Sequence, residues 1–77
     1  MNEFVHFQLV QRQLVEAGLD TTLAAHREGN EAVFSLSVHL HEQNPDTMAR
    51  LTEVTTKNQF TFTIDRHNTA ALMPAGR

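Results

Sequence analysis

Apolar and polar positions follow two different periods along the chain, and these periods predict its elements. Over residues 3–17 the apolar positions recur every three or four residues, which predicts an amphipathic helix. Asn2 is suited to cap its start and Gly18 to end it. The segment VHFQL also alternates, so a strand over residues 4–10 followed by a short helix is the rival interpretation. The helical stripe consists of Phe4, Phe7, Val10, Leu14 and Ala17.

The next part of the chain alternates with period two, as a strand does. Residues 21–26 predict a short strand, and Gly29 with Asn30 supplies a turn signal. The stretch VFSLSVHLHEQ, residues 33–43, follows with the strongest alternation in the chain. These features predict a β-hairpin over residues 21–41 with one face packed on a core and the other exposed to solvent. Its apolar face carries Phe34, Leu36, Val38 and Leu40, and its polar face carries Ser35, Ser37, His39 and His41.

A second helix and two further strands complete the pattern. Asn44 followed by Pro45 is typical of a helix start, and Asn58 is a suitable stop. The segment QFTFTIDR then alternates, with Phe60, Phe62 and Ile64 on its apolar face. TAALM, residues 69–73, predicts a fourth strand, and residues 74–77 are expected to form a loose tail. The apolar stripe of the second helix consists of Met48, Leu51 and Val54.

The predicted order of elements is α-β-β-α-β-β within a single domain over residues 1–77. Two helices and four short strands of this kind predict an α+β fold. We expect a two-layer sandwich, with a mostly antiparallel sheet and both helices on one face.

Length and composition limit what the fold can achieve. A chain of 77 residues buries only about 60–65% of the surface that its unfolded form exposes, so its margin of stability is thin. It has no cysteine, which excludes disulfides, thiolate zinc ligands and a cysteine nucleophile. The start MNEFVHFQLV lacks a basic region and a long apolar run, and no segment approaches the ~20 apolar residues of a membrane span. The expectation is a cytoplasmic protein without a membrane partner.

The charge distribution argues against a nucleic-acid partner. The formal net charge is −3, and the six basic residues are scattered along the chain. Nucleic-acid binding takes much of its affinity from clustered basic residues that neutralise phosphates. There is also no Trp or Tyr to form a base-stacking platform.

The histidines give the sharpest chemical hypothesis. His39 and His41 share the polar face of one strand, and Asp65 and His67 lie near the end of another. If those strands were neighbours, three imidazoles and a carboxylate would converge, which are ligand types that suit Zn²⁺. The ordinary interpretation, that these are surface residues of a sheet, is favoured because H-x-H alone is a weak signal. A pH-sensing role for the same histidines ranks below the metal site.

Catalysis has less support than binding. The chain contains no G-x-S-x-G motif, no glycine-rich phosphate loop and no H-E-x-x-H motif. A chain of this size also has little volume for a substrate cleft. We therefore expect no catalytic residues and no cofactor, with zinc as the only metal considered.

The first helix carries more apolar residues than one buried stripe needs. Val5 and Leu9 lie on the flank away from the stripe, and Val15 is a further surplus apolar residue. A second buried face indicates a partner, and dimerisation would relieve the shortage of core in so short a chain. Edge-to-edge pairing through the uncharged segment QFTFTI is the competing route to self-association.

These observations predict a non-catalytic protein-interaction module that forms a homodimer and docks on another protein. It would act as an adaptor or as a small inhibitor, encoded by a phage or beside its target. A small regulatory domain that binds a metal or ligand through the His/Asp cluster is the alternative. The predicted docking residues are Val5 and Leu9 as anchors with Gln8, Gln11 and Arg12 around them.

Overall fold

The computed structural model describes residues 3–75 and confirms the predicted order of elements. Residues 4–10 belong to a helix, so the rival strand interpretation of that segment is wrong. The proposed cap Asn2 lies outside the described residues. The elements are α1 (Glu3–Glu16), β1 (Asp20–Glu28), β2 (Glu31–His39), α2 (Pro45–Lys57), β3 (Phe60–Ile64) and β4 (Thr69–Pro74).

The four strands form one antiparallel sheet in the order β1-β2-β4-β3. The chain is thus two successive helix-plus-hairpin units, α1-β1-β2 and α2-β3-β4, joined side by side through β2 and β4. This arrangement is an α+β fold, as the element pattern predicts. Strands β1 and β3 occupy the two edges.

Helix α1 ends at a glycine, as its sequence predicts. Gly18 has φ +85°, a left-handed conformation that costs glycine little because glycine has no Cβ. The Gly18 N–H donates to Val15 O at 2.9 Å, and the Leu19 N–H donates to Leu14 O at 3.0 Å. This is the Schellman pattern, which satisfies two of the last carbonyls of the helix. Leu19 is buried after the turn, so the chain enters β1 anchored in the core.

Strand β1 is longer than its sequence predicts, whereas β2 ends at His39, two residues before the predicted end of the hairpin at residue 41. Gly29 has φ +66° and Asn30 does not have a positive φ, which is typical of a type II′ turn with glycine at its first central position. Such a two-residue loop lets Glu28 pair directly with Glu31, so pairing continues to the tip. The first strand consequently covers Asp20–Glu28 rather than residues 21–26.

Helix α2 has the start and the end that its sequence predicts. Asn44 Oδ1 accepts a hydrogen bond from the Thr47 N–H at 2.8 Å, and Pro45 occupies the first helical position. Asn58 is the C-cap residue, and its N–H donates to Val54 O. Thr55 is buried, and its hydroxyl donates to Leu51 O at 2.9 Å, so no polar atom of this side chain is left unsatisfied.

The expectation of a loose tail from residue 74 is wrong for its first two residues. Pro74 belongs to β4 and pairs with Phe60, and the Ala75 N–H donates to Gln59 O at 2.8 Å. A proline fits there because pairing of β4 with β2 stops at Leu72, so no neighbouring strand needs an N–H from residue 74. Residues 76–77 lie outside the described part of the chain.

A single cluster of buried side chains joins both helices to the sheet. The inward residues of the strands share one face by register, since Leu36 pairs with Leu72 and Leu72 pairs with Phe62. Phe7 contributes the aromatic centre, with ring centroids 5.3 Å from Phe60 and 6.0 Å from Phe34. The buried apolar cluster consists of Phe7, Val10, Leu14, Leu19, Leu36, Val38, Leu40, Leu51, Val54, Phe60, Ala70 and Leu72.

Part of the first hairpin projects beyond the rest of the sheet. Pairing between β2 and β4 covers only residues 36–39 of β2. Residues 24–28 and 31–35 therefore pair only with each other, and we call them the hairpin arm. The arm is mostly exposed, apart from half-buried Val33 and Phe34. Neither helix of the described chain has the length and apolarity to cross a membrane.

Replacing the α2 cap tests the local account of that helix. We expect Asn44→Ala to lower the free energy of unfolding by about 1 kcal/mol, because the Thr47 N–H loses its acceptor. Asn44→Ser keeps an acceptor and should stay close to wild type. Urea unfolding followed by circular dichroism measures both, and equal stability of Asn44→Ala and wild type would contradict the assignment.

Candidate protein-interaction surface

The side of α1 opposite the core carries exposed apolar residues. Phe7, Val10 and Leu14 are buried, while Val5 and Leu9 remain 54% and 49% exposed. Successive helical residues are about 100° apart, so positions 5 and 9 point away from the stripe formed by positions 7, 10 and 14. The sequence prediction that these two side chains stay outside the core of the single chain is confirmed.

Val5 and Leu9 frame a shallow depression together with Gln8 and Arg12. Its volume is about 350 Å³, and these four residues line it; we call them the α1 outer face. Arg12 Nε lies 4.0 Å from Glu16 Oε2, and both side chains are largely exposed. An exposed pair at that distance is worth little, so the guanidinium is available to a partner's carboxylate.

Gln11, the fifth residue predicted for this surface, lies elsewhere. It follows Phe7 by one helical turn, so it turns towards the sheet rather than outward. Its Nε2 donates to Thr21 Oγ1 of β1 at 3.2 Å, and the side chain is half-buried. Gln11 thus connects α1 to the edge strand and contributes nothing to the depression.

His39 is the last residue of β2, and His41 lies just beyond it and contacts β1. The rings of His39 and His41 meet edge to face, with centroids 4.7 Å apart. His41 Nε2 lies 3.1 Å from Asp20 Oδ2. Asp20 is a residue that the sequence pattern did not single out, although the register of the hairpin pairs it with His39. The signal that could have found it is the two-residue turn, which aligns Glu28 with Glu31 and so brings Asp20 to these histidines.

Asp65 and His67 lie in the turn between β3 and β4, near His39. Asp65 Oδ1 accepts hydrogen bonds from the His67 N–H at 2.7 Å and the Thr69 N–H at 3.1 Å. The backbone hydrogen bond from Thr69, followed by that from His67, lowers the pKa of the Asp65 carboxyl, and the nearby His67 and His39 rings add to the effect. Desolvation of the carboxyl raises its pKa and so opposes these effects. The carboxylate is thereby occupied with shaping the turn.

The predicted zinc ligands do not assemble into a site. His39 contacts Thr69 Oγ1 at 3.5 Å through Nδ1, His41 contacts Asp20, and Asp65 is held by backbone N–H groups. Across residues 3–75, no three His, Cys, Asp or Glu side chains are grouped so that they could hold a metal ion. The arrangement therefore supplies local contacts between strands and turns rather than a ligand set.

A second depression lies where α1 ends and α2 begins, with a volume of about 230 Å³. Arg50 lies on one side of it, with Nη1 donating to Ala17 O at 3.2 Å and Nη2 2.7 Å from Asp46 Oδ2. The arginine thus satisfies a terminal carbonyl of α1 from α2. Acidic residues line the same depression, so it presents no net cationic surface to an anion. It is lined by Gly18, Leu19, Asp20, His39, Leu40, His41, Glu42, Thr47 and Arg50.

Comparison with known proteins gives no relative from which a role could be transferred. No protein-family model matches the chain, and no curated protein and no solved structure shows significant similarity to it. The functional argument therefore depends on its own surface.

The turn carboxylate gives a prediction about acid stability. Because its pKa is lowered on folding, ionised Asp65 stabilises the fold at neutral pH, and that contribution is lost as the pH falls below about 4. Asp65→Asn keeps an acceptor for the two N–H groups but does not ionise. We expect the melting temperature of this variant to depend less on pH than that of wild type between pH 5 and about 3.

Asp65→Ala provides the comparison, because it removes the acceptor as well as the charge. It should melt below Asp65→Asn at pH 7, since the His67 and Thr69 N–H groups lose their intramolecular partner. Differential scanning fluorimetry across a pH series measures all three proteins. Parallel pH profiles for wild type and Asp65→Asn would disprove the role of the charge.

Proposed function

We propose that this protein is a non-catalytic protein-interaction module that docks on another protein through the α1 outer face. In this proposal the fold is a two-layer sandwich in which both helices cover the same face of the sheet. That arrangement is supported by the single buried cluster, to which α1, α2 and one set of strand residues all contribute. It leaves the side of α1 opposite the core free to receive a partner.

One observation carries the proposal: Val5 and Leu9 are about half exposed, side by side, around a shallow depression. Transferring such side chains out of water is favourable, so a surface that keeps two of them adjacent gains free energy from a covering partner. The polar groups of Gln8 and Arg12 beside them resemble the rim of an interface. A matching partner would offer an apolar ridge and a carboxylate for Arg12.

Self-association and a cytoplasmic location are further parts of the proposal. The chain is short and free of cysteine, so a second copy would add buried surface that no disulfide can replace. The absence of cysteine also fits a reducing compartment. A module with one docking face and no catalytic group would serve as an adaptor or as a small inhibitor that blocks its target, such as a phage protein or the product of a neighbouring gene.

Substitution of the two apolar anchors tests docking. We expect Val5→Glu combined with Leu9→Glu to weaken binding to the partner at least 10-fold, because two carboxylates would have to be desolvated in the interface. Met73→Glu is the matched control, since Met73 is 52% exposed and lies on the exposed sheet face. Both variants should fold, because neither site belongs to the buried cluster.

The partner protein can be captured directly in the cell that makes this chain. A photo-crosslinking amino acid at position 9, with position 73 as the control, would mark the protein bound to the α1 outer face. Binding of the purified partner to wild type and to the variants is then measured by calorimetry. If the double variant binds as tightly as Met73→Glu, docking through the α1 outer face is ruled out.

A further inference from the structure

Strand β1 is a long sheet edge whose charged residues, Asp20, Arg27 and Glu28, lie only at its two ends. It has nine residues, and its pairing with β2 runs without a bulge from Asp20 to Glu28. It contains no proline, and no strand of the described chain lies beyond it. Natural edges are usually shortened, bulged, covered or interrupted by proline or charged residues, and the middle of β1, residues 21–25, has no such interruption. The opposite edge, β3, has only five residues.

The backbone groups that β1 offers at this edge can be identified. The Leu40 N–H donates to Asn68 O at 2.7 Å, so this position at the end of β2 bonds towards β4. Hydrogen-bonding direction alternates along a strand, so His39, Ser37 and Ser35 bond towards β1 instead. Their partners on β1 are Asp20, Thr22 and Ala24. The N–H and C=O groups of the intervening residues, Thr21, Leu23 and Ala25, therefore point out of the sheet edge.

The hairpin arm indicates what should cover this edge. Residues 24–28 and 31–35 form only two strands, and two-stranded hairpins are marginal in water without further support. A third strand laid along β1 would complete the arm. The beginning of β1 from a second copy has the required length and the same outward backbone groups.

We propose that two copies pair antiparallel through their β1 strands, with the twofold axis at Leu23, and so join two four-stranded sheets into one of eight strands. This inference rests on the self-association in the proposed function but uses a different surface from the α1 outer face. Residues 20–26 of each copy pair, so residues 24–26 of each hairpin arm gain a third strand from the other copy.

The cross-strand pairs that Asp20 would form favour this register. With the axis at Leu23, Asp20 of one copy lies opposite His26 of the other, twice, on the exposed face of the sheet. Moving the axis to Ala24 would place Asp20 opposite Glu28, which creates two like-charge pairs. Moving it to Ala25 would place Leu23 opposite Arg27 and leave Asp20 without a cross-strand partner. In the selected register the two Leu23 side chains meet across the axis on the apolar face.

The neighbouring flank of α1 extends the contact. Gln11 bonds to Thr21, so this side of α1 overhangs the β1 edge. Val15 lies one turn beyond Gln11 on the same side and is 54% exposed. A second copy at the edge would approach this flank, whereas Val5 and Leu9 would stay free for a third protein.

Blocking one outward N–H tests the strand pairing. Ala25→Pro removes an edge donor without removing a β1–β2 hydrogen bond, and proline is tolerated on edge strands when its N–H side faces solvent. Ala25→Val is the matched control, because it keeps the donor and favours strand. The chain mass is 8.7 kDa. By sedimentation equilibrium we expect wild type and Ala25→Val to be dimers with twice this mass, and Ala25→Pro to be a monomer with the mass of one chain. A monomeric wild type, or a folded Ala25→Pro dimer, would overturn the proposal.

Disulfide trapping tests the register independently, in case Ala25→Pro fails to fold. The chain has no cysteine, so a single introduced cysteine can link only to its copy. Two residues at position 23 would have Cα atoms about 5.5 Å apart, within disulfide range, whereas two at position 24 would be about 8 Å apart. We expect Leu23→Cys to give a covalent dimer on mild oxidation and Ala24→Cys to give little. The reverse result, or no covalent dimer from either variant, contradicts the register.

The two proposals fail separately. Val5→Glu with Leu9→Glu should remain dimeric while it loses the partner protein. Ala25→Pro should become monomeric and still bind the partner through the α1 outer face. A monomeric wild type that binds the partner would overturn self-association together with β1 pairing, and a folded Ala25→Pro dimer would overturn β1 pairing alone. A dimer whose partner binding does not depend on Val5 and Leu9 would overturn α1 docking alone.

Discussion

The pairing of β2 with β4 is the contact on which the rest of the structure depends. It connects the two helix-plus-hairpin units within one sheet, and it covers only residues 36–39 and 69–72. Leu36 opposite Leu72 and Val38 opposite Ala70 are all buried, so this short ladder also lies at the centre of the apolar cluster. Without it, each unit would expose a sheet edge and half of a core.

The shortness of the β2–β4 ladder explains which surfaces of the molecule are left uncovered. Because β2 extends beyond its pairing with β4, the first hairpin projects as an arm, and β1 forms a long edge. Because one sheet face receives α1, only one stripe of that helix is buried, and Val5 and Leu9 are left outside. Both proposed interfaces therefore arise because a short chain has too few elements to cover all of its own surface. A larger domain would cover these surfaces with a further strand or helix.

Most of the elements could be predicted from the sequence because their signals are local. The alternation of residues 33–41, Gly18 after α1 and the Asn44-Pro45 start of α2 each specify a conformation within a few residues. The order of the strands could not be predicted, since it depends on β2 meeting β4 across some 30 residues of chain. The loose-tail expectation failed at Pro74 for the same reason, because it required knowing where the β2–β4 ladder stops.

The candidate surface was predictable to the extent that it depends on helical geometry alone. The exposure of Val5 and Leu9 follows from their angular position on α1. The contact of Gln11 with Thr21 depends instead on where β1 passes under the helix. The histidines illustrate the opposite case. Their convergence with Asp65 and His67 depended on a strand order and register that no local pattern contains. In the structure the β1–β2 register instead brings Asp20 into contact with His41.

The tip of the first hairpin has a practical consequence. A side chain added at Gly29 would meet no atom within 4 Å, although its left-handed backbone would disfavour one. The tip also lies outside residues 20–26, which the proposed strand pairing uses, and it is not among the residues of the α1 outer face. A short epitope or a fluorophore-binding peptide inserted between Gly29 and Asn30 would thus report on the protein in living cells while leaving both contact surfaces intact.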